Sequence, residues 1–427
     1  MNYHHKKLTL RKDLGLLEAV CAGVGIIVGA GIYVLLGPAA GLAGNAVWIS
    51  FIISAFLALL TGLSYAELNS LYPKDGSEYL YIENTFNKKL AFLIGYTILL
   101  GGSISAATVS LGFAGYLSSL INYNIILLAL GILFLMGVIN LFGAKDSSYF
   151  NIILTSLQIL GLIFIIIVSL KHFGSVNYFK APNGISGVFG ASSLIFFAYI
   201  GFESLVKLSE ETKNSKKIIP IALISSIIIA TILYILVSLS AVSVLGYEVL
   251  SQSKAPLSDL ISKALGSEYA IYITIIALIT TATTVLLQLL ATSRILYGLG
   301  NDINLFKIFT KLSKKNRSPY IAVITTLILA SFFILIGNIE IVASITNFTI
   351  YITFFFVNLS LIILRYTKPN AKRKFKVPFN IKNFPITALL GLLSSVFFML
   401  NLELKIILGG IVLILIGLFL ANIIKLK

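Results

Sequence analysis

The sequence contains few charged residues, one cysteine and three histidines, and each shortage excludes a class of protein. Only 11% of its 427 residues are charged, whereas a soluble globular domain averages about 25%, so the chain cannot cover a water-facing surface with polar groups. The single cysteine, Cys21, excludes an internal disulfide framework. The histidines, His4, His5 and His172, lie near the N-terminus or in a predicted loop. We therefore expect no catalytic residues, no metal site and no cofactor.

Apolar sequence is abundant instead. Hydrophobic residues make up 58% of the chain and the mean hydropathy is +0.99. The apolar runs are continuous and of helical length, which is typical of transmembrane helices and not of barrel strands. We predict an all-α polytopic membrane protein with about twelve spans. They cover residues 14–37, 46–68, 90–121, 124–142, 150–170, 187–207, 219–245, 269–300, 320–337, 340–364, 385–401 and 404–424.

Basic residues are unevenly divided between the two predicted sides of the membrane. The side that holds both termini carries 27 of the 32 Lys and Arg residues. The positive-inside rule therefore places both termini in the cytoplasm of a cell-membrane protein. The net charge of +16 is then a topology signal. It also suits anionic lipid as a partner, and nucleic acid is not expected. We expect no cleavable signal peptide, because the first apolar run is too long and carries Glu18.

The loops leave no room for a soluble domain, so the predicted organisation follows the spans. We expect a cytoplasmic N-terminal tail at 1–13 and a ten-helix core at 14–365. A basic, solvated cytoplasmic linker is predicted at 366–384. Two additional transmembrane helices and a short cytoplasmic tail follow at 385–427.

The first predicted span is rich in glycine. Gly23, Gly25, Gly29 and Gly31 fall within nine residues, beside Ala30. Each glycine weakens a helix by about 1 kcal/mol relative to alanine, and a helix break is tolerated in a membrane only where it lines a cavity. The freed N–H groups suit a carboxylate, and the freed carbonyls suit an ammonium group or a cation. The alternative interpretation is that Gly25 and Gly29 form a helix-packing motif.

The sixth predicted span contains a carboxylate, Glu203, in the sequence Phe196-Phe197-Ala198-Tyr199-Ile200-Gly201-Phe202-Glu203-Ser204. No other acidic residue lies so deep in a predicted span. A buried ionisable group in a membrane is a functional candidate, although a protonated glutamate bonded to backbone is the structural alternative. The first and sixth spans are five apart, which is the spacing expected for a 5+5 inverted repeat whose first helices are both broken.

At these residues the chain resembles the amino acid–polyamine–organocation (APC) superfamily of amino acid permeases. The glycine-rich run ends Gly31-Ile32-Tyr33, similar to the family's first-helix motif of small residues followed by Gly-Ile-Phe or a close variant. Residues 197–204 resemble its sixth-helix motif of an aromatic residue, a small residue, Tyr or Phe, Ile-Gly, any residue and an acid. Three further segments, 210–220, 291–298 and 317–320, follow in the family's order, and the resemblance extends over about 10–365.

The resemblance implies a permease, a secondary transporter that moves an amino acid by alternating access. It places N–H groups of the first break beside the substrate carboxylate and carbonyls of both breaks beside the amine. Phe197 corresponds to a gating aromatic, and Glu203 is implied in gating or proton coupling. Small residues of the third span, Ser105 and Ala107 among them, would line a side-chain pocket. The substrate-binding residues implied in this way are Ile26, Ile27, Ala30, Gly31, Tyr33, Ala106, Phe197, Ile200 and Gln288.

The sequence of the fifth span does not identify the coupling ion. Some proton-coupled family members carry a lysine there, and alignment of the segment 143–146 with the family motif puts Gln158 at that position. Glutamine cannot titrate. Coupling then involves H⁺ at Glu203, or substrate exchange without an ion, or a cation such as Na⁺ at Gln158, Thr283 and Thr284. We favour proton coupling or exchange over sodium, because membrane threonines commonly bond to their own helix.

Other functions fit the sequence less well. An intramembrane enzyme needs paired catalytic groups, and Glu203 has no acidic neighbour in sequence. No pore-lining repeat typical of a channel occurs. The alternatives that remain are a polyamine or organic-cation transporter of the same fold, a Na⁺-coupled amino acid symporter, and a non-transporting amino acid sensor.

Overall fold

The structure is a computed structural model, and it describes residues 14–72, 77–142, 148–206, 208, 212–302, 304–313 and 316–424. The predicted N-terminal tail and the segment 143–146 used to align Gln158 therefore lie outside the described residues.

Within the described part, the chain is all-α apart from one small hairpin. The elements are α1 Leu16–Ile27, α2 Gly31–Ala43, α3 Val47–Leu71, α4 Ser77–Thr85, α5 Lys88–Ile121, α6 Ile125–Leu141, α7 Ser148–Ser169, α8 Gly184–Ile195, α9 Phe202–Leu205, α10 Ser215–Leu245, α11 Tyr247–Gln252, α12 Pro256–Leu265, α13 Ser267–Asp302, α14 Tyr320–Ile334, α15 Ile339–Thr367, β1 Asn380–Ile381, β2 Phe384–Pro385, α16 Ile386–Leu400 and α17 Leu404–Ile423.

These helices account for the twelve predicted spans. Eight helical segments of the described chain are long and apolar enough to cross a membrane, and four shorter apolar helices fill the remaining positions. The first span consists of α1 and α2, and the sixth consists of α8, a 3₁₀ turn at Phe196–Tyr199, and α9. The prediction of an all-α polytopic membrane protein is confirmed. The first span continues to Ala43, beyond the predicted end at 37.

Two connections contain structure that the sequence did not indicate. Residues 246–268, between the seventh and eighth predicted spans, form α11 and α12, and α12 packs on α13. The linker at 366–384 was predicted to be solvated. Two of its residues are instead buried, Val377 at 1% exposure and the Arg373 side chain at 2%, because they contact Glu67 at the end of α3.

An ion cluster at Glu67 ties three parts of the chain together. Arg365 at the end of α15 forms two contacts with the Glu67 carboxylate, at 2.6 Å from Nε and 2.7 Å from Nη2. Arg373 adds a third contact at 3.2 Å, and the N–H of Val377 donates to Oε2 at 2.7 Å. Breaking such a buried ion pair by removing one partner is strongly destabilising, so the cluster joins the ends of α3 and α15 to the linker.

Candidate functional site

The two helix breaks lie against each other. A methyl group added at Gly31, the first residue of α2, would lie 2.5 Å from the Cα atom of Ala198 in the 3₁₀ turn. One added at Gly201 would lie 3.1 Å from the carbonyl oxygen of Ile26. Glycine is therefore required at both positions for the backbones to approach so closely. The sequence prediction that both spans are interrupted agrees with this geometry.

The first break covers Val28 to Ala30. Val28 leaves the helical region with ψ 80°, and the N–H of Gly29 donates to the carbonyl of Ile27 at 2.8 Å. Because α2 begins anew at Gly31, the N–H groups of its first turn have no carbonyl one turn earlier in the same helix. These N–H groups, at the positive end of the helix dipole, suit a carboxylate.

The second break is a sharp turn at Ile200 and Gly201. Ile200 is extended with ψ 134°, and Gly201 has φ 119°, a left-handed conformation that favours glycine. The carboxylate of Glu203 accepts the N–H of Gly201 at 2.9 Å. Glu203 is half-buried and stands in the first turn of α9, where a negative charge is favourable. This carboxylate therefore holds the shape of the turn.

Span ten satisfies the carbonyls that end α8. The side-chain amide of Asn347 donates to the carbonyls of Ser193 and Leu194, at 2.7 and 2.8 Å. The hydroxyl of Tyr351 also donates to Ser193, at 2.8 Å. Behind these bonds, the ring of Phe196 packs on Tyr351 with centroids 5.3 Å apart. Free backbone groups at membrane depth require such partners, so the sixth-span break has a fixed support on one side.

Tyr234 of α10 links the two breaks. Its hydroxyl lies 2.9 Å from the carbonyl oxygen of Ile27 and 3.0 Å from that of Ala198, and the side chain is fully buried. The sequence analysis did not identify this residue. The signal available was a tyrosine in the middle of an apolar span, since a buried tyrosine hydroxyl usually finds a polar partner.

Two other tyrosines contact α2, the second half of span one. The hydroxyl of Tyr116 donates to the carbonyl of Tyr33 at 3.0 Å, and the hydroxyl of Tyr33 donates to the carbonyl of Gln158 at 3.3 Å. Tyr33 is thus a buried contact between spans one and five, at 0% exposure. Tyr116 was also missed in the sequence analysis, where span three was considered only for its small residues.

The remaining predicted residues fall into two groups. Ile26, Ile27, Ala30, Phe197 and Ile200 lie at the breaks themselves, and Phe197 is 6% exposed within the 3₁₀ turn. Other side chains sit on the neighbouring helices, with Ala106 buried in α5 and Gln288 half-buried in α13. Ser105 and Ala107 are also buried in α5.

The predicted coupling-ion residues are only partly brought together. A methyl group at Gly29 would lie 3.9 Å from Oγ1 of Thr284, so this threonine faces the first break. The hydroxyl of Thr284 donates to Thr280 at 2.9 Å, and that of Thr283 donates to Ile279 at 2.7 Å. Both hydroxyl protons are therefore bonded within α13. Within the described residues there is no group of three or more His, Cys, Asp or Glu side chains that could hold a metal ion.

Comparisons with known proteins agree with the sequence motifs. A family model described as amino acid permease matches residues 14–423. The branched-chain amino acid permease BcaP of Bacillus subtilis (strain 168) is 30% identical, over 96% of this chain and 92% of that protein. The methylthioribose transporter of the same organism is 31% identical, over 88% of this chain and 86% of that protein. The cationic amino acid transporter 4 of Mus musculus is 30% identical, over 84% of this chain and 61% of that protein. Each is named as a permease or transporter, which confirms the prediction that the chain is not an enzyme.

Proposed function

We propose that this chain, which belongs to the amino acid permease family of the APC superfamily, is a secondary transporter that moves an amino acid across the cell membrane by alternating access. The observation that carries this proposal is the contact between the two breaks, with Gly31 against Ala198. This contact puts N–H groups that suit a carboxylate next to carbonyls that suit an ammonium group. An α-amino acid has both groups on one carbon atom.

The proposed substrate is a neutral amino acid with an apolar side chain. The side chains at the breaks that could contact it, Ile26, Phe197 and Ile200, are apolar. Glu203, the acid in the sixth-span break, accepts a hydrogen bond from the N–H of Gly201. The branched-chain permease BcaP, which matches nearly the whole chain, supports the same substrate class. A cationic amino acid would be favoured by a carboxylate directed at the pocket.

We propose that transport is coupled to protons or proceeds by exchange of substrates. Glu203 is the titratable group at the break, and its protonation would weaken its bond to Gly201 and loosen the turn. Gln158 cannot titrate, and its backbone carbonyl is bonded to Tyr33. Thr283 and Thr284 donate their hydroxyl protons to carbonyls of their own helix, so both side chains are bonded without an ion. Thr280, however, is buried with a hydroxyl that has no partner among the described residues, so sodium needs a direct test.

Burial differs between the two halves of span one. Every residue of α2 from 31 to 37 is buried, whereas α1 exposes Leu17, Glu18 and Cys21. We propose that the α2 side of the breaks is closed in this conformation. We propose that both termini and the linker face the cytoplasm, because 27 of the 32 basic residues lie on that side. We also propose that residues 14–365 form the transport core and that α16 and α17 are accessory.

Counterflow in proteoliposomes tests this function. Vesicles would be loaded in turn with each amino acid, with common polyamines and with methylthioribose, and uptake of the labelled compound would be followed without an ion gradient. We expect accumulation driven by neutral apolar amino acids. Accumulation driven only by polyamines would favour the organic-cation alternative. Folded protein that gives no counterflow with any of them would favour a sensor.

A further inference from the structure

The linker between α15 and α16 alternates between buried and exposed side chains. Its inward residues are buried or half-buried, with Arg373, Phe375 and Val377 in contact with the rest of the protein, and its outward residues are all exposed lysines. Within 371–377, the inward set is Ala371, Arg373, Phe375 and Val377, and the outward set is Lys372, Lys374 and Lys376.

The inward residues fix this segment in place. Arg373 contacts Glu67 at 3.2 Å and donates from Nη2 to the carbonyl of Leu364 at 2.7 Å. The N–H of Val377 donates to Glu67 at 2.7 Å, and the hydroxyl of Ser70 donates to the carbonyl of Phe375 at 3.5 Å. The three outward lysines are therefore displayed from a backbone that is attached to the ends of α3 and α15.

Within the described residues, no acidic group pairs with the outward lysines. Residues 366–384 contain no Asp or Glu. In the part of the chain that the structure describes, Lys372, Lys374 and Lys376 are exposed and make no ion pair, whereas the charge of Arg373 is paired with Glu67. Burial lowers the pKa of the Arg373 guanidinium, and Glu67 opposes that shift.

A small apolar hairpin follows the lysines. Phe379 is 76% exposed and Ile381 is 64% exposed, and Lys382 stands exposed at the turn between β1 and β2. The span helix α16 begins at Ile386, immediately after this hairpin. The hairpin therefore lies where the chain enters the membrane. Exposed apolar side chains beside lysines are the chemistry of a membrane interface.

We propose that Lys372, Lys374, Lys376, Phe379, Ile381 and Lys382 form a lipid-binding surface that takes the headgroups of anionic phospholipids. The ammonium groups contact the phosphates, and the two apolar side chains enter the boundary of the acyl chains. A basic cluster next to a transmembrane helix attracts anionic lipid by an amount that corresponds to about fivefold in affinity per lysine. The contacts of Arg373 and Val377 with Glu67 keep Lys372, Lys374 and Lys376 on the outward side of the linker. The proposal does not depend on the substrate or on the coupling ion.

Lipid retention by the full-length protein tests the proposal. The protein in neutral detergent would be titrated with phosphatidylglycerol or phosphatidylcholine, and bound lipid would be counted by native mass spectrometry. The test variant is K372Q/K374Q/K376Q. The control is K171Q/K254Q/K263Q, which removes the same charge from three exposed lysines that lie in separate segments and form no cluster in the sequence. Because all six side chains are exposed, both variants should melt at the temperature of the parent.

We expect the test variant to bind phosphatidylglycerol about 10- to 100-fold more weakly, and the control to bind it within about threefold of the parent. Phosphatidylcholine should bind alike to all three proteins. A second variant, F379S/I381S, should weaken binding of both lipids. Parent-like binding of phosphatidylglycerol by the test variant would overturn the proposal. So would an equal loss in both lysine variants, since total charge would then decide binding.

Discussion

The hydroxyl of Tyr234 lies 2.9 Å from the carbonyl oxygen of Ile27, the last residue of α1 in span one. The same hydroxyl lies 3.0 Å from the carbonyl of Ala198 in the sixth-span break. One side chain on α10 thus contacts both breaks. A hydroxyl has a single proton, so it bonds best to one carbonyl at a time. Movement of one break relative to the other would change which carbonyl it bonds.

Removal of this hydroxyl should impair transport more than folding. We expect Tyr234→Phe to lower the free energy of unfolding by about 1–3 kcal/mol, because two buried carbonyls lose a donor. Counterflow should fall by about tenfold or more, since the two breaks are no longer held together. Thermal melting and initial counterflow rates measure the two effects. The matched control is Tyr272→Phe, which removes a hydroxyl from a side chain that is 63% exposed. Equal rates for the two variants would contradict this role of Tyr234.

Two glycines of the first break should respond differently to a methyl group. At Gly31 it would lie 2.5 Å from the backbone of Ala198, whereas at Gly29 the nearest atom would be Oγ1 of Thr284 at 3.9 Å. We expect Gly31→Ala to cost about 1–3 kcal/mol of stability and to abolish transport. Gly29→Ala should fold like the parent and raise the apparent KM. Melting curves and uptake kinetics of the pair test the contact, and a Gly31→Ala protein with parent-like stability would disprove it.

Glu203 should determine the pH dependence of net transport. Glu203→Gln keeps an acceptor for the N–H of Gly201 but cannot release a proton. We expect exchange to persist and the pH dependence of net uptake to disappear. Uptake into vesicles at a series of external pH values, with counterflow run in parallel, separates the two modes. An unchanged pH profile in the variant would reduce Glu203 to a residue that holds the turn.

Sodium should have no effect on counterflow. Thr283 and Thr284 already donate to carbonyls of their own helix. Replacement of Na⁺ by choline on both sides of the membrane should leave the rate within about twofold. A loss of rate of tenfold or more, restored by Na⁺, would show that the sodium alternative is correct. Thr280→Val would then test whether the unbonded hydroxyl of Thr280 belongs to that site.

Loss of the buried carboxylate of Glu67, at the end of α3, should lower the free energy of unfolding far more than loss of an exposed carboxylate. Glu67→Gln leaves the guanidinium groups of Arg365 and Arg373 buried without a counter-charge. Such a change typically costs about 3–5 kcal/mol. Glu248→Gln is the control, because its pair with Lys180 is 3.5 Å long and both side chains are more than half exposed. Its loss should cost about 0–1 kcal/mol. Similar melting temperatures for the two variants would contradict the proposed role of the cluster.

The breaks could be predicted because their causes are local in the sequence. Glycines that weaken a helix and a carboxylate in an apolar run are visible without any knowledge of neighbours. Tyr234 could not be assigned in this way, since its partners Ile27 and Ala198 lie 207 and 36 residues away. The burial of Arg373 in the linker could not be predicted either, because its partner Glu67 is far away in sequence. The basic composition of the linker indicated only that it would be solvated.

Analogues of the substrate that counterflow identifies test most directly how the two breaks bind it. We propose that backbone groups of the two breaks bind both the carboxylate and the ammonium of an amino acid. The matching amine, without the carboxylate, and the matching acid, without the amine, would each compete against the labelled amino acid in counterflow. We predict that neither analogue competes at 100 times the concentration at which the parent amino acid halves the signal. Competition by the amine at the potency of the amino acid would contradict the account and favour an organic-cation transporter.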